Sequence, residues 1–319
     1  MSKKSLALSA ASAVLLAATV AALNPAPAAA TRPSGHQQAV HFDLAKGQTP
    51  ENIALAPRGD AYVTFAAGRQ IAKISRDGST RILATLPAPA DGGVHTPALG
   101  FPLTVGIVRA TDDTLYFLYA TGTADLTGVW RLRPGGTPRR IAALPANGLP
   151  NGLALDARTG SLYVTDSVLG TIWKVPTTGG TPTAWSTAPE LASTGFLGAN
   201  GLKIRNGAVW ATNLDKGTVL RIPVRRDGGA GPVRTVATGL AGIDDFAFTG
   251  RGDQLLAALN GTSEVALVRP GHGHSIVLSP SDGLQNPTSV AVSGNTIHVT
   301  SAAYLTAQDP NLLRFPLNP

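Results

Sequence analysis

The chain has 319 residues, 26 Lys and Arg against 19 Asp and Glu, a formal net charge of +7, and no cysteine. The missing cysteines exclude a disulfide framework and thiolate chemistry, so apolar burial alone must hold the fold, which a chain of this size permits. The arginines are scattered rather than gathered into a stripe with aromatics, which argues against nucleic-acid binding.

Residues 1–30 read as a secretory leader. Lys3 and Lys4 precede an apolar run over 6–23, and Ala28, Ala29 and Ala30 supply small residues for cleavage near Ala30. The run lacks the flanking charge of a stop-transfer segment, and no Cys is present to carry a lipid. A secreted protein without a stable membrane anchor is therefore expected. Residues 31–38 form a short lead-in, and 39–319 a single domain. Its 36 Gly and 24 Pro beside 43% apolar residues fit many tight turns rather than disorder.

From residue 51 onward one pattern repeats. The clearest copy, NGLALDARTGSLYVTDSVLGTIWKV from Asn151, holds three short apolar strands separated by Gly, Asp and Ser. Related copies begin at Glu51, Thr104, Asn200, Asp244 and Thr288, at intervals of about 44 to 53 residues. A fourth strand follows in five of them, over 81–86, 139–144, 182–186, 233–237 and 275–278. The sixth copy ends without one, and residues 40–44 (VHFDL) are the expected substitute. The prediction is all-β: a six-bladed β-propeller of four-stranded blades, its ring closed by an N-terminal strand that covers an open sheet edge.

In such a ring the first strand of each blade lines the central channel. The starts of those strands, Glu51, Thr104, Asn151, Asn200, Asp244 and Thr288, should then meet at one mouth. Glu51, Asn151, Asn200 and Asp244 offer carboxylate and amide oxygens, the donors of a hard divalent cation such as Ca²⁺. No His or Cys in the ring suggests zinc or copper. Singly, an Asn-Gly before a strand is a common turn former; four donors in register across blades favour a metal site.

These residues resemble the SMP-30/gluconolactonase/LRE superfamily of six-bladed propellers, which includes diisopropylfluorophosphatase-like enzymes and, more distantly, paraoxonases. The resemblance spans about residues 40–317. It implies a catalytic calcium held by Glu51 (PENIAL), Asn151 (NGLALD), Asn200 (NGLKI) and Asp244 (GIDDFAF), with Asp244 also as general base or nucleophile. Asp245 stands where a Gly often follows that Asp, and Thr104 leaves no counterpart for a substrate-binding Arg of the second blade. These departures bear on the substrate more than on the metal.

Other polar residues have plainer readings. Asp166 and Asn213 end matched strands and suit turn capping. Tyr163, Trp173, Trp210 and Trp130 suit packing between sheets. His272 and His274 fall in a hairpin on the opposite face. The loop 87–102 should overhang the mouth, offering Asp91 and His95, the latter as a proton-transfer group; the loop 188–199 arrives on the same side. The expected function is a secreted, metal-dependent hydrolase of lactones or related esters, acting as a monomer on a small molecule. The alternative is a non-catalytic NHL-type propeller that binds a peptide, cell-wall or small-molecule ligand over a structural calcium. A channel plugged by Phe246 or Leu103 would favour that alternative.

Overall fold

The computed structural model describes residues 38–317. The expected leader and all but the last residue of the lead-in lie outside them. Six separate four-stranded antiparallel sheets make up the fold. Their inner strands are Pro50–Leu55, Leu103–Arg109, Pro150–Asp156, Ala199–Arg205, Ile243–Phe248 and Pro287–Ser293. Each contacts the next, and the last contacts the first, so the strands form a closed ring.

Both faces of a blade pack against neighbours, which explains the near-continuous apolar runs. The second strands Leu115–Ala120 and Ala208–Asn213 are buried along their whole length. Fourth strands such as Thr80–Thr85 lie at the rim and stay largely exposed or half-buried. The core is accordingly divided into six clusters, each filling a wedge between successive blades. Leu118 and Val129 of blade 2 meet Leu153, Leu162 and Val164 of blade 3. Trp210 and Val219 of blade 4 meet Phe246 and Leu255 of blade 5. Edge-to-face aromatic pairs brace the blades, Tyr163 with Trp185 at 5.1 Å within blade 3 and Trp210 with Phe248 at 5.2 Å between blades 4 and 5.

The ring closes where expected but with a shifted strand. Gln38–His41 pairs antiparallel with the third strand of blade 6, Ala39 opposite Leu313 and His41 opposite Asn311. The predicted 40–44 therefore runs too far. Asp43 accepts from Ala45 N at 3.0 Å and caps a short 3₁₀ turn, Leu44–Lys46, which Gly47 ends at φ 69°. Val40 is buried with Leu312, Ile53 and Phe65 at the seam between blades 6 and 1. Among the described residues, no helix is long and apolar enough to cross a membrane.

Candidate functional site

Every inner strand breaks register with its partner where a ring residue lies: between Pro50 and Asn52, Thr104 and Ile107, Pro150 and Leu153, Ala199 and Leu202, Ile243 and Phe246, and Pro287 and Ser289. A bulge turns residues that would pair across the sheet toward the channel instead. A threonine on the second strand holds several of these bulges. Thr165 Oγ1 accepts from Gly152 N at 2.8 Å and donates to the Asn200 carbonyl of the next blade. Thr212 Oγ1 accepts from Gly201 N at 2.7 Å and donates to the Asp244 carbonyl at 2.6 Å. Blades 3 and 4 thus each hold the backbone of the ring residue of their successor.

The glycines permit that approach. A Cβ on Gly152 would lie 2.2 Å from the Asn200 carbonyl oxygen, and one on Gly201 would lie 2.8 Å from that of Asp244. Asn-Gly is therefore more than a turn former in these two blades: Gly leaves room for the neighbouring backbone beside a buried Asn.

Glu51, Asn151, Asn200 and Asp244 are all buried. Burial pushes the Glu51 carboxyl up to about 7, its Tyr304 hydrogen bond opposing and the Asp245 charge adding. Burial, then Glu51, then Asp245 raise Asp244 well above the usual carboxylate range. The Glu51 charge thus bears on Asp244, and that of Asp245 on both. Asn200 Oδ1 is buried with no hydrogen-bond partner. An enclosed pair of acids beside an unpartnered amide oxygen suits a hard divalent cation, which wants oxygen donors and offsets negative charge. Among the described residues, no group of three or more His, Cys, Asp or Glu is placed to hold a metal ion.

The other two ring positions serve the scaffold. Thr104 donates to the Phe65 carbonyl at 2.9 Å, and Thr288 to that of Pro50 at 2.8 Å. Both are fully buried. Asp245 forms a polar layer next to the ring. Lys203 Nζ reaches both its oxygens at 2.6 Å, Asn52 Nδ2 donates at 3.0 Å and Ser289 Oγ at 2.8 Å. Phe246 and Leu103, the plug that would have favoured the binding-module reading, pack in core wedges between blades.

Tyr304 was invisible to the sequence reading. Its hydroxyl donates to Glu51 Oε2 at 2.5 Å from the loop 302–310, between the second and third strands of blade 6. The matching hairpins of blades 3 and 4 span only 167–170 and 214–217, so the extra length was the available signal. Ala303, Ala307 and Asp309 in that loop hold φ of 58°, 50° and 49°, strain of the kind that persists where surroundings fix it.

His95 pairs through Nδ1 with Asp91 Oδ2 at 2.7 Å inside its own loop, its side chain 75% exposed. No hydrogen bond links it to Glu51 or Asp244. Asp166 Oδ1 accepts from Leu149 N and Leu169 N at 2.9 Å, and Asn213 Nδ2 donates to the Glu190 and Ala192 carbonyls, as capping residues do. Asp215 gathers the backbone N–H groups of residues 194–197 and so fixes the second overhanging loop.

No family model matches the chain, and no curated protein does. Solved structures match by shape. A virginiamycin B lyase from Staphylococcus aureus covers 89% of this chain and 99% of its own length, at 16% identity and a TM-score of 0.60. A chain of a nidogen/laminin complex covers 82% and 100%, at 17% and 0.57. An auxiliary nutrient binding protein from Bacteroides ovatus covers 80% and 65%, at 10% and 0.61. At such identities the likeness extends to the propeller alone, a fold that carries catalysis and binding alike.

Proposed function

We propose that this protein is a metal-dependent hydrolase of lactones or related esters, related to the SMP-30/gluconolactonase group and working at the mouth ringed by Glu51, Asn151, Asn200 and Asp244. The observation that carries the reading is the buried, unpartnered Asn200 Oδ1 in a ring with two buried carboxylates, Glu51 held by the Tyr304 hydroxyl and neither in an ion pair among the described residues. When bound there, Ca²⁺ would offset the carboxylate charges and polarise a substrate carbonyl.

The chain's own residues supply the rest. Asn151 and Asn200 give amide oxygens; Glu51, oriented by the Tyr304 hydroxyl, and Asp244 give carboxylates. Asp244 accepts a proton from water as its oxygen attacks the carbonyl carbon; the ester C–O bond breaks, and the proton passes to the departing alkoxide. His95 is proposed as a second proton-transfer group of the overhanging loop, and unchanged activity in His95→Ala removes it. Leu44, Val94, Leu169, Phe196, Tyr304 and Leu305 are the exposed large apolar residues of the loops at this mouth. That rim favours substrates with an apolar body over sugar lactones.

The test is hydrolysis of aliphatic and sugar lactones by the purified protein with calcium, after EDTA, and in Asp244→Ala. Loss of activity with EDTA and with the substitution supports the reading. Calcium that raises Tm while no lactone or ester is cleaved points instead to a ligand-binding propeller, which the same apolar rim would serve.

A further inference from the structure

A cavity lies away from the mouth, at the opposite face and against the seam that closes the ring. It measures about 780 Å³. Arg58 and Arg76 come from two hairpins of blade 1; Asn295, Thr296, His298 and Arg314 come from blade 6. Phe315 and Pro57 supply apolar wall, and the lining includes no carboxylate.

Arg314 is the telling residue. It is 7% exposed, and its terminal nitrogens donate to the Arg76 carbonyl at 3.0 Å and the Ser75 carbonyl at 3.3 Å. Those bonds tie blade 1 to blade 6 but leave the charge without a counter-ion, and Nε has no partner. The nearby Asp60 is engaged by Lys73 at 2.7 Å. His298, directly opposite Arg314 in the sheet, is 5% exposed with Nδ1 also unpartnered. A buried guanidinium with only carbonyl partners is costly unless something neutralises it.

We propose that this cleft binds an oxyanionic group of a small organic molecule, a phosphate or a carboxylate seated among Arg58, Arg76 and Arg314. Guanidinium forks match such groups in shape and charge, and the cavity has room for an organic body against Phe315 and Pro57. In support, burial and the Arg76 charge pull Arg314 below its ordinary value, while burial and Arg314 lower His298 to about 4. Burial is the larger cause of both shifts and neighbouring positive charge the second, with Asp60 opposing at Arg314.

Isothermal titration of the purified protein with inorganic phosphate, glycerol phosphate and citrate tests the site. The expected result is saturable one-to-one binding of at least one of them that weakens as NaCl is raised. Which ones bind separates phosphate from carboxylate recognition and bare anion from organic ligand. Arg58→Ala and Asn295→Asp should each weaken binding at least tenfold without lowering Tm. These variants spare Arg314, whose removal would also open the seam. Absence of saturable binding by all three anions, or binding that survives both substitutions, overturns the proposal.

Discussion

A buried amide oxygen without a donor costs about 1–3 kcal/mol, and Asn200 Oδ1 is in that state within a ring that also encloses Glu51 and Asp244. The same enclosure sets a pH dependence. The native Glu51 carboxyl titrates near 7 rather than 4.5, so the folded protein keeps a proton that the unfolded chain releases. Metal-free stability should therefore fall as pH rises from about 4.5 to 7, by about 1.4 kcal/mol per unit for each such group. Calcium should flatten that fall. Calorimetry across this range in EDTA and in calcium checks it, and a metal-free Tm that rises would contradict it. Asp245 has a separate task. Asp245→Ala leaves Lys203 facing Asn52 and Ser289 without a counter-charge, and should cost about 3 kcal/mol, read as a drop in the urea midpoint.

At the scale of the strand, the bulge and its threonine decide where the ring residues stand. Thr212→Val removes both the acceptor for Gly201 N and the donor to the Asp244 carbonyl. It should cost about 2 kcal/mol and weaken calcium binding, although residue 212 touches no ligand. The repeated VTF, VTD, ATN and VTS segments carry these threonines at 64, 165, 212 and 300. The period was legible because propeller geometry turns a repeat of about fifty residues into a ring, and with it the buried positions of Glu51, Asn151, Asn200 and Asp244 at or beside the starts of inner strands. The partners of those donors were not. Lys203, Asn52 and Ser289 meet Asp245 from three other inner strands, and Tyr304 meets Glu51 from a hairpin 253 residues away. Such contacts follow from closure of the ring and leave no local signature. The shifted closing strand has a local cause, since Asp43 competes for the backbone as a cap and the strand ends at His41, three residues before the predicted end at Leu44.

For the molecule as a whole, six wedges of core replace a single one, and the seam between blades 6 and 1 is the one the chain termini must hold. Deleting residues through 41 would bare the edge of Asn311–Pro316 and remove Val40 from its wedge. Lower Tm and concentration-dependent light scattering are expected, because an uncovered strand edge templates association. The molecule then offers two chemically opposite sites: an acidic, apolar-rimmed mouth and a basic cleft on the far face. The mouth is the central claim, and calorimetric titration of EDTA-treated protein with calcium tests it most directly. One site per chain is expected, with affinity reduced at least tenfold in Asp244→Asn and in Asn200→Ala. No calcium binding, or binding that both variants retain in full, would contradict it.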